Sequence, residues 1–192
     1  MGEARRLPID HPEFFDLPPP PGRSRESSIV LDGEGRFWHE GELVTHRGMM
    51  AAFATWIRRH PRDGRYVLCN GYDWTYFRVV DVPFFVVGVS GAPGCPTLEL
   101  SDQTEERLEP ETLGVGEHDA LYCWVKNGQY EARFTPAAQV ALAPHLAEGD
   151  GGQPAVIVAG REHVVGVRGG FAPAARVALG ERSNSEESTG FG

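Results

Sequence analysis

The chain has 192 residues, 41% of them hydrophobic, which makes one domain or two small ones that bury about 70% of the unfolded surface. Its net charge of -9 speaks against nucleic acid as a partner, above all because eight acids and one arginine lie between Thr97 and Asp119 and repel a phosphate backbone. Three cysteines, Cys69, Cys95 and Cys123, lack Cys-x-x-Cys spacing, and no stretch reaches the apolar length of a signal peptide or a membrane span. Disulfides, a thiolate metal site and a membrane role are therefore not expected, and the location expected is a reducing cytoplasm.

Residues 1–27 read as a Pro-rich N-terminal arm, because Pro8, Pro12 and Pro18 to Pro21 cannot donate backbone hydrogen bonds and favour extended geometry. Phe14, Phe15 and Leu17 are expected to pin it to the body. Residues 28–92 form a first α+β unit. Ile29-Val30-Leu31 and Arg36-Phe37-Trp38 flank an Asp32-Gly33 turn, a second turn follows at Glu40-Gly41, and both dipeptides suit the positive φ angles of tight hairpins. Thr45 is the expected N-cap of a helix to about Arg59, with Met49, Met50, Phe53, Trp56 and Ile57 on one face against a sheet. From Tyr66 to Gly91 the pattern is strand, turn, strand, Pro break, strand, rich in β-branched and aromatic residues, and so the centre of a sheet.

The acidic stretch 93–119 reads as a connector. Residues 120–168 form a second α+β unit: Leu121 to Val125 and Tyr130 to Phe134 around Asn127-Gly128, a helix opened by the N-cap Thr135 and by Pro136, then a hairpin through Ala155 to Val158 and His163 to Val167. Hairpin, helix, hairpin thus occurs twice, with Trp38 and Trp124 in matching places, and the fold class expected is α+β with two related units, each a small antiparallel sheet with one helix. Residues 169–192 lose this periodicity and read as a disordered tail.

Three segments carry a resemblance. Val79-Val80-Asp81-Val82-Pro83-Phe84 is similar to the Val-Glu-Asp-Ala-Pro-Phe signature of an uncharacterised bacterial family, catalogued as number 1285 in the domain-of-unknown-function series. Asp32 to Gly41 resembles its Asp-Gly-x-Trp-x-x-x-Gly hairpin, and Lys126 to Arg133 its Arg-x-Gly-Leu-Glu-Ala-Arg hairpin, in the family's order. Val80 stands where that family has an acid, and Asn70-Gly71-Tyr72 replaces its Thr-Pro-x-Glu-Lys turn. The resemblance implies a small two-part α+β fold suggested to bind a ligand or serve signalling, and it lends no activity.

Chemistry-bearing motifs are few. Gly88-Val89-Ser90-Gly91-Ala92 is close to a nucleophile elbow, but Pro93 and Pro96 forbid the helix that would supply an oxyanion hole. The histidines are scattered without metal-ligand spacing, and no phosphate-binding loop precedes a helix, so neither metal nor cofactor is expected. What remains is one strand face with Trp74, Tyr76 and Arg78, where two aromatics beside an arginine suit an anionic or planar ligand, or else simply support the sheet. Asp81 before the Pro break and Phe84 complete the candidate ligand-binding residues. Glu131 and Arg133 share a hairpin face and pair either with each other or with a partner. The function expected is a non-enzymatic module that binds a small molecule or a protein, in signalling, with a groove between the halves as its site. The alternatives are a small hydrolase using Asp81, Ser90 or a histidine, and a structural assembly protein.

Overall fold

Alternation makes the first strand: in β1 (Glu26–Leu31) Ile29 and Leu31 are buried while Glu26 and Ser28 are exposed. The computed structural model describes residues 12–92, 94–149 and 152–170. The architecture is α+β, as the sequence leads one to expect, with many short strands and two α-helices among the described residues.

After β1 the chain turns through β2 (Phe37–His39) and β3 (Glu42–Leu43), enters α1 (Arg47–Trp56), and returns through β4 (Ile57–Arg59), β5 (Tyr66–Cys69) and β6 (Trp74–Val79). These six strands form one sheet in the order β3-β2-β1-β6-β5-β4, with β1 and β6 parallel at its centre. The turn after β1 is fixed by the Asp32 carboxylate, which accepts from the backbone N–H of Glu34 and Arg36, from Arg36 Nε and from Trp38 Nε1, all within 3.0 Å. Its positive-φ residue is Gly35 rather than Gly33, whereas Glu40-Gly41 takes positive φ at both positions as expected.

The helix starts one residue later than the sequence indicated. His46, not Thr45, is the N-cap, its Nδ1 accepting from the Met49 N–H at 3.1 Å. It also ends earlier, because Ile57 leaves the helix to begin an edge strand whose side chain, 1% exposed, plugs the core. Met50, Phe53 and Trp56 pack inward from the expected stripe, while Met49 stays 47% exposed.

Val80 to Pro83 then carries the chain into a second sheet. Val82 and Pro83 are among its most buried residues, so the Pro break is part of the core and not a surface loop. The second sheet gathers β7 (Phe84–Ser90), β8 (Thr97–Leu100), β9 (Glu105–Arg107), β10 (Gly114–Val115), β11 (Leu121–Val125) and β12 (Tyr130–Phe134). Next come α2 (Pro136–Leu142), a separate three-stranded sheet of β13 (Leu146–Glu148), β14 (Pro154–Val158) and β15 (Arg161–Val164), and finally β16 (Gly166–Val167), which rejoins the second sheet beside β10. The order of the second sheet is β16-β10-β11-β12-β7-β8-β9, and β7 runs parallel to β12.

Two expectations change here. The acidic stretch 93–119 is not a plain connector, since β8, β9 and β10 within it are strands of the second sheet. Its charge is accommodated partly by Lys126, whose ammonium lies 2.9 Å from Asp102 and 3.1 Å from Glu106. The repeated hairpin-helix-hairpin plan is also not reproduced: the hairpin after α1 returns to its own sheet through β6, whereas the strands after α2 form a sheet of their own. The strand Phe84–Ser90, grouped in sequence with the first unit, pairs in the second sheet.

Thr135 caps α2 as expected, its hydroxyl accepting from the Ala138 N–H, a contact worth about 1 kcal/mol. Leu142 is fully buried, whereas Val140, two positions earlier and so on the opposite side of the helix, is 74% exposed. One large core, from Ile29 to Val165, runs through both sheets. A smaller cluster lies on the opposite side of the first sheet, where Phe14, 3% exposed in a 3-10 helix at Pro12–Asp16, packs on Val67, Cys69 and Trp74. Burial of that one ring stabilises the docked arm by about 1.5–3 kcal/mol. The tail expected to be disordered lies, beyond residue 170, outside the described residues.

Candidate binding site

The alternation along β6 sends Trp74 and Tyr76 to one face and Thr75 and Phe77 to the other, as the sequence requires. The Trp74 face is closed. Phe15 stands 5.8 Å from Trp74, His60 lies 5.0 Å from Trp74 and 5.4 Å from Tyr76, and the two predicted aromatics meet edge to face at 5.1 Å. Arginines do stack on them, but they are Arg25, 4.3 Å from the Trp74 ring, and Arg65, 3.7 Å from the Tyr76 ring. Arg78, the arginine the strand pattern nominated, is exposed. Burial and the hydrogen bond that the Tyr76 hydroxyl donates to Asp63 at 2.8 Å push this phenol above its ordinary range.

Asp81 and Phe84 lie elsewhere. Phe84 is a core residue, 2% exposed and 5.2 Å from the Tyr130 ring. Asp81 sits where the chain crosses between the sheets and is bonded on several sides: Arg168 Nη2 at 2.8 Å, the Tyr122 hydroxyl at 2.9 Å and Arg133 Nη1 at 3.4 Å. Arg168 also grips Glu131 through both Nε and Nη2, at 3.0 and 2.8 Å, with its guanidinium carbon 3.7 Å from the Tyr122 ring. The bond to Glu131 keeps this guanidinium charged well beyond its ordinary range. Arg133 reaches across to the carbonyl of Gly33 at 3.0 Å and so ties the first hairpin to the second sheet. Glu131 therefore pairs with Arg168, a residue near the end of the described chain, and not with Arg133.

Of the nominated residues, only Trp74 borders a large cavity. This is an open cleft of about 680 Å³ on the α1 side of the first sheet. Its apolar wall is Phe53 and Trp56 from α1, both half-buried, and Ile29 from β1 and Leu68 from β5 also line it. The cleft opens because the β1–β6 register slips: Glu26 faces Tyr76 and Val30 faces Arg78, so four residues of β1 span two of β6. Ser27, Ser28 and Ile29, which occupy that bulge, line the cleft. Polar groups ring it, supplied by the arm (Arg23, Ser24), by the β2–β3 turn (His39, Glu40) and by the β5–β6 turn (Asn70, Asp73).

The arm touches both sides of β6. Arg25, 15% exposed, donates to Asp73 Oδ1 and to the Trp74 carbonyl, both at 2.5 Å, and to the carbonyls of Leu17 and Pro18 at 2.8 and 2.9 Å. One side chain thus joins the docked arm to the rim of the cleft. The sequence carries no signal for it, since its acid partner lies 48 residues away. Phe53 and Trp56 were visible as part of a helical stripe, and only their incomplete burial marks them as cavity wall.

Ser90 ends β7 exposed, and Gly91, with φ 102°, follows it in a turn and not in a helix. Among the described residues no group of three or more His, Cys, Asp or Glu side chains is placed to hold a metal ion, and no helix is long and apolar enough to cross a membrane. Cys123 is fully buried, and burial pushes its thiol far up.

No family model and no curated protein matches the chain. Among solved structures it is similar to a DUF1285 family protein from Silicibacter pomeroyi DSS-3, with 16% identity and a TM-score of 0.58, over 74% of this chain and 81% of that one. It is also similar to a DUF1285 family protein from Shewanella baltica OS155, with 15% identity and a TM-score of 0.49, over 62% of this chain and 93% of that one. The first likeness shows a shared fold, in agreement with the three resembling sequence segments.

Proposed function

We propose that this protein is a non-enzymatic binding module for a small molecule, and that the ligand occupies the cleft between α1 and the β1–β6 bulge. The observation that carries this reading is the cleft itself: about 680 Å³, an aromatic wall from Phe53 and Trp56, and a ring of polar groups from three separate turns. Small-molecule sites have this composition, apolar walls for affinity and a few polar groups for orientation. The surroundings of Asp81 and Ser90 favour the same reading over a hydrolase. Asp81 is engaged by two arginines and a tyrosine, and Ser90 has no helix behind it to stabilise an oxyanion. A signalling role suits the arm, because Pro20, Gly22, Arg23 and Ser24 border the cleft while Phe14 and Phe15 dock on the opposite face of the sheet. A ligand that orders or displaces this segment alters a surface that a partner reads.

A thermal-shift screen against metabolites and ions tests the reading, with Trp56→Leu run in parallel. A ligand at 100 times its dissociation constant adds about 2.7 kcal/mol, a rise of roughly 5–10 °C for a chain of this size. A hit that Trp56→Leu abolishes, in a variant that still melts cooperatively, supports the cleft. A silent screen, or hits indifferent to Trp56→Leu, overturns it.

A further inference from the structure

The charges around the cleft sort into two kinds. Glu26 and Asp73 are already neutralised, the first by both nitrogens of Arg65 at 2.8 Å and the second by Arg25. Arg23 and Glu40, also on the cleft lining, make no side-chain hydrogen bond or ion pair with another described residue. Both are exposed at the rim. They come from different segments, Arg23 from the arm and Glu40 from the β2–β3 turn, where its backbone N–H is fixed by Ser28 Oγ at 3.2 Å. An anion gains Arg23 but meets Glu40 and two further carboxylates on the lining. A cation gains Glu40 but meets Arg23. A ligand carrying both signs uses both groups, and each pairing is a charge-assisted contact of the kind that fixes orientation. Between the charges such a ligand needs an apolar part to fill the space beside Phe53, Trp56 and Leu68.

Resting on the cleft as the binding site, we infer that its ligand is a small zwitterion with an apolar side chain, an amino acid or a dipeptide. Its carboxylate pairs with Arg23, its ammonium with Glu40, and its side chain packs on the α1 aromatics.

Calorimetric titrations of the full chain test this with L-phenylalanine, L-leucine and L-leucyl-L-phenylalanine. Each is run beside its N-acetyl form, which lacks the ammonium, and its C-amide form, which lacks the carboxylate. At least one parent binds, and removing either charge weakens it by about tenfold or more, the effect of one lost charge-assisted hydrogen bond. Glu40→Gln removes the advantage over the acetylated form and leaves that over the amide, while Arg23→Gln does the reverse. Both side chains are exposed, so neither change threatens the fold. The single amino acids and the dipeptide separate the two sizes of zwitterion. Equal binding of parents and blocked forms overturns the inference, as does discrimination that survives both substitutions or a failure of all three parents to bind. If the parents fail while another compound gives a Trp56-dependent shift, the cleft stands and the zwitterion falls. If no compound of any kind binds, both fall.

Discussion

Asp81 Oδ1 and Arg168 Nη2 stand 2.8 Å apart, joining the crossover between the two sheets to the residue that follows the last described strand. Because Arg168 also holds Glu131 with two bonds, its removal leaves two part-buried carboxylates with fewer partners. Arg168→Ala is expected to cost about 2 kcal/mol and to lower Tm by roughly 4–8 °C. Arg168→Lys recovers less than half of this, because an ammonium cannot make the bidentate grip. Thermal melts of the two variants decide it, and a lysine variant as stable as the parent shows that the fork has no special role.

The acid limb of the stability curve should report Asp32. Burial raises the pKa of this carboxyl, but the bonds from Trp38, Arg36 and Glu34 outweigh it and hold the folded value below the ordinary one. A folded pKa below the unfolded one means stability that is present above about pH 4 and is lost as the pH falls through the folded value. Asp32→Asn therefore destabilises at pH 7 by about 1–2 kcal/mol and flattens the decline below about pH 4. Urea melts across pH 2.5–7 would show parallel curves if Asp32 contributes nothing to that limb.

Docking of the arm rests on Phe14. Truncation to alanine removes about 3 kcal/mol of local packing, which raises the population of the undocked arm about a hundredfold. Trypsin should then cut after Arg23 and Arg25 faster by a similar factor, with a smaller effect on the global melt. Unchanged cleavage would mean that Arg25 and its carbonyl partners hold the arm alone.

Thiol chemistry separates the cysteines. Cys95 is exposed, whereas Cys69 and Cys123 are buried and burial disfavours the Cys123 thiolate. A disulfide reagent should modify Cys95 rapidly in the native protein and all three cysteines only after denaturation. Rapid modification of Cys123 would reveal that β11 opens well below global unfolding.

The strands, turns and caps were largely legible in sequence because they are local. Tyr66 to Ser90 contains the three strands that its apolar runs indicate, Lys126 to Gln129 makes the hairpin that Asn127-Gly128 announces, and Thr135 caps α2. The face of β6 that carries Trp74 and Tyr76 follows from strand periodicity alone. What covers that face does not: the sequence leads one to expect Phe14 to pin the arm to the body, but nothing local says that it and Arg25 meet at Trp74.

By itself the sequence determined an α+β chain of short strands, the turn positions and the shortage of chemical motifs. Each rests on neighbours a few residues apart, where backbone geometry imposes a period. Only the tertiary structure decided that Phe84–Ser90 pairs with Tyr130–Phe134, that the acidic stretch supplies strands, that Asp81 meets Arg168, and that a register slip between β1 and β6 opens a cleft beside Trp56. Those contacts join residues distant in the chain, and they are selected by how the shared core of two sheets can be filled, a constraint that leaves no repeat in the sequence.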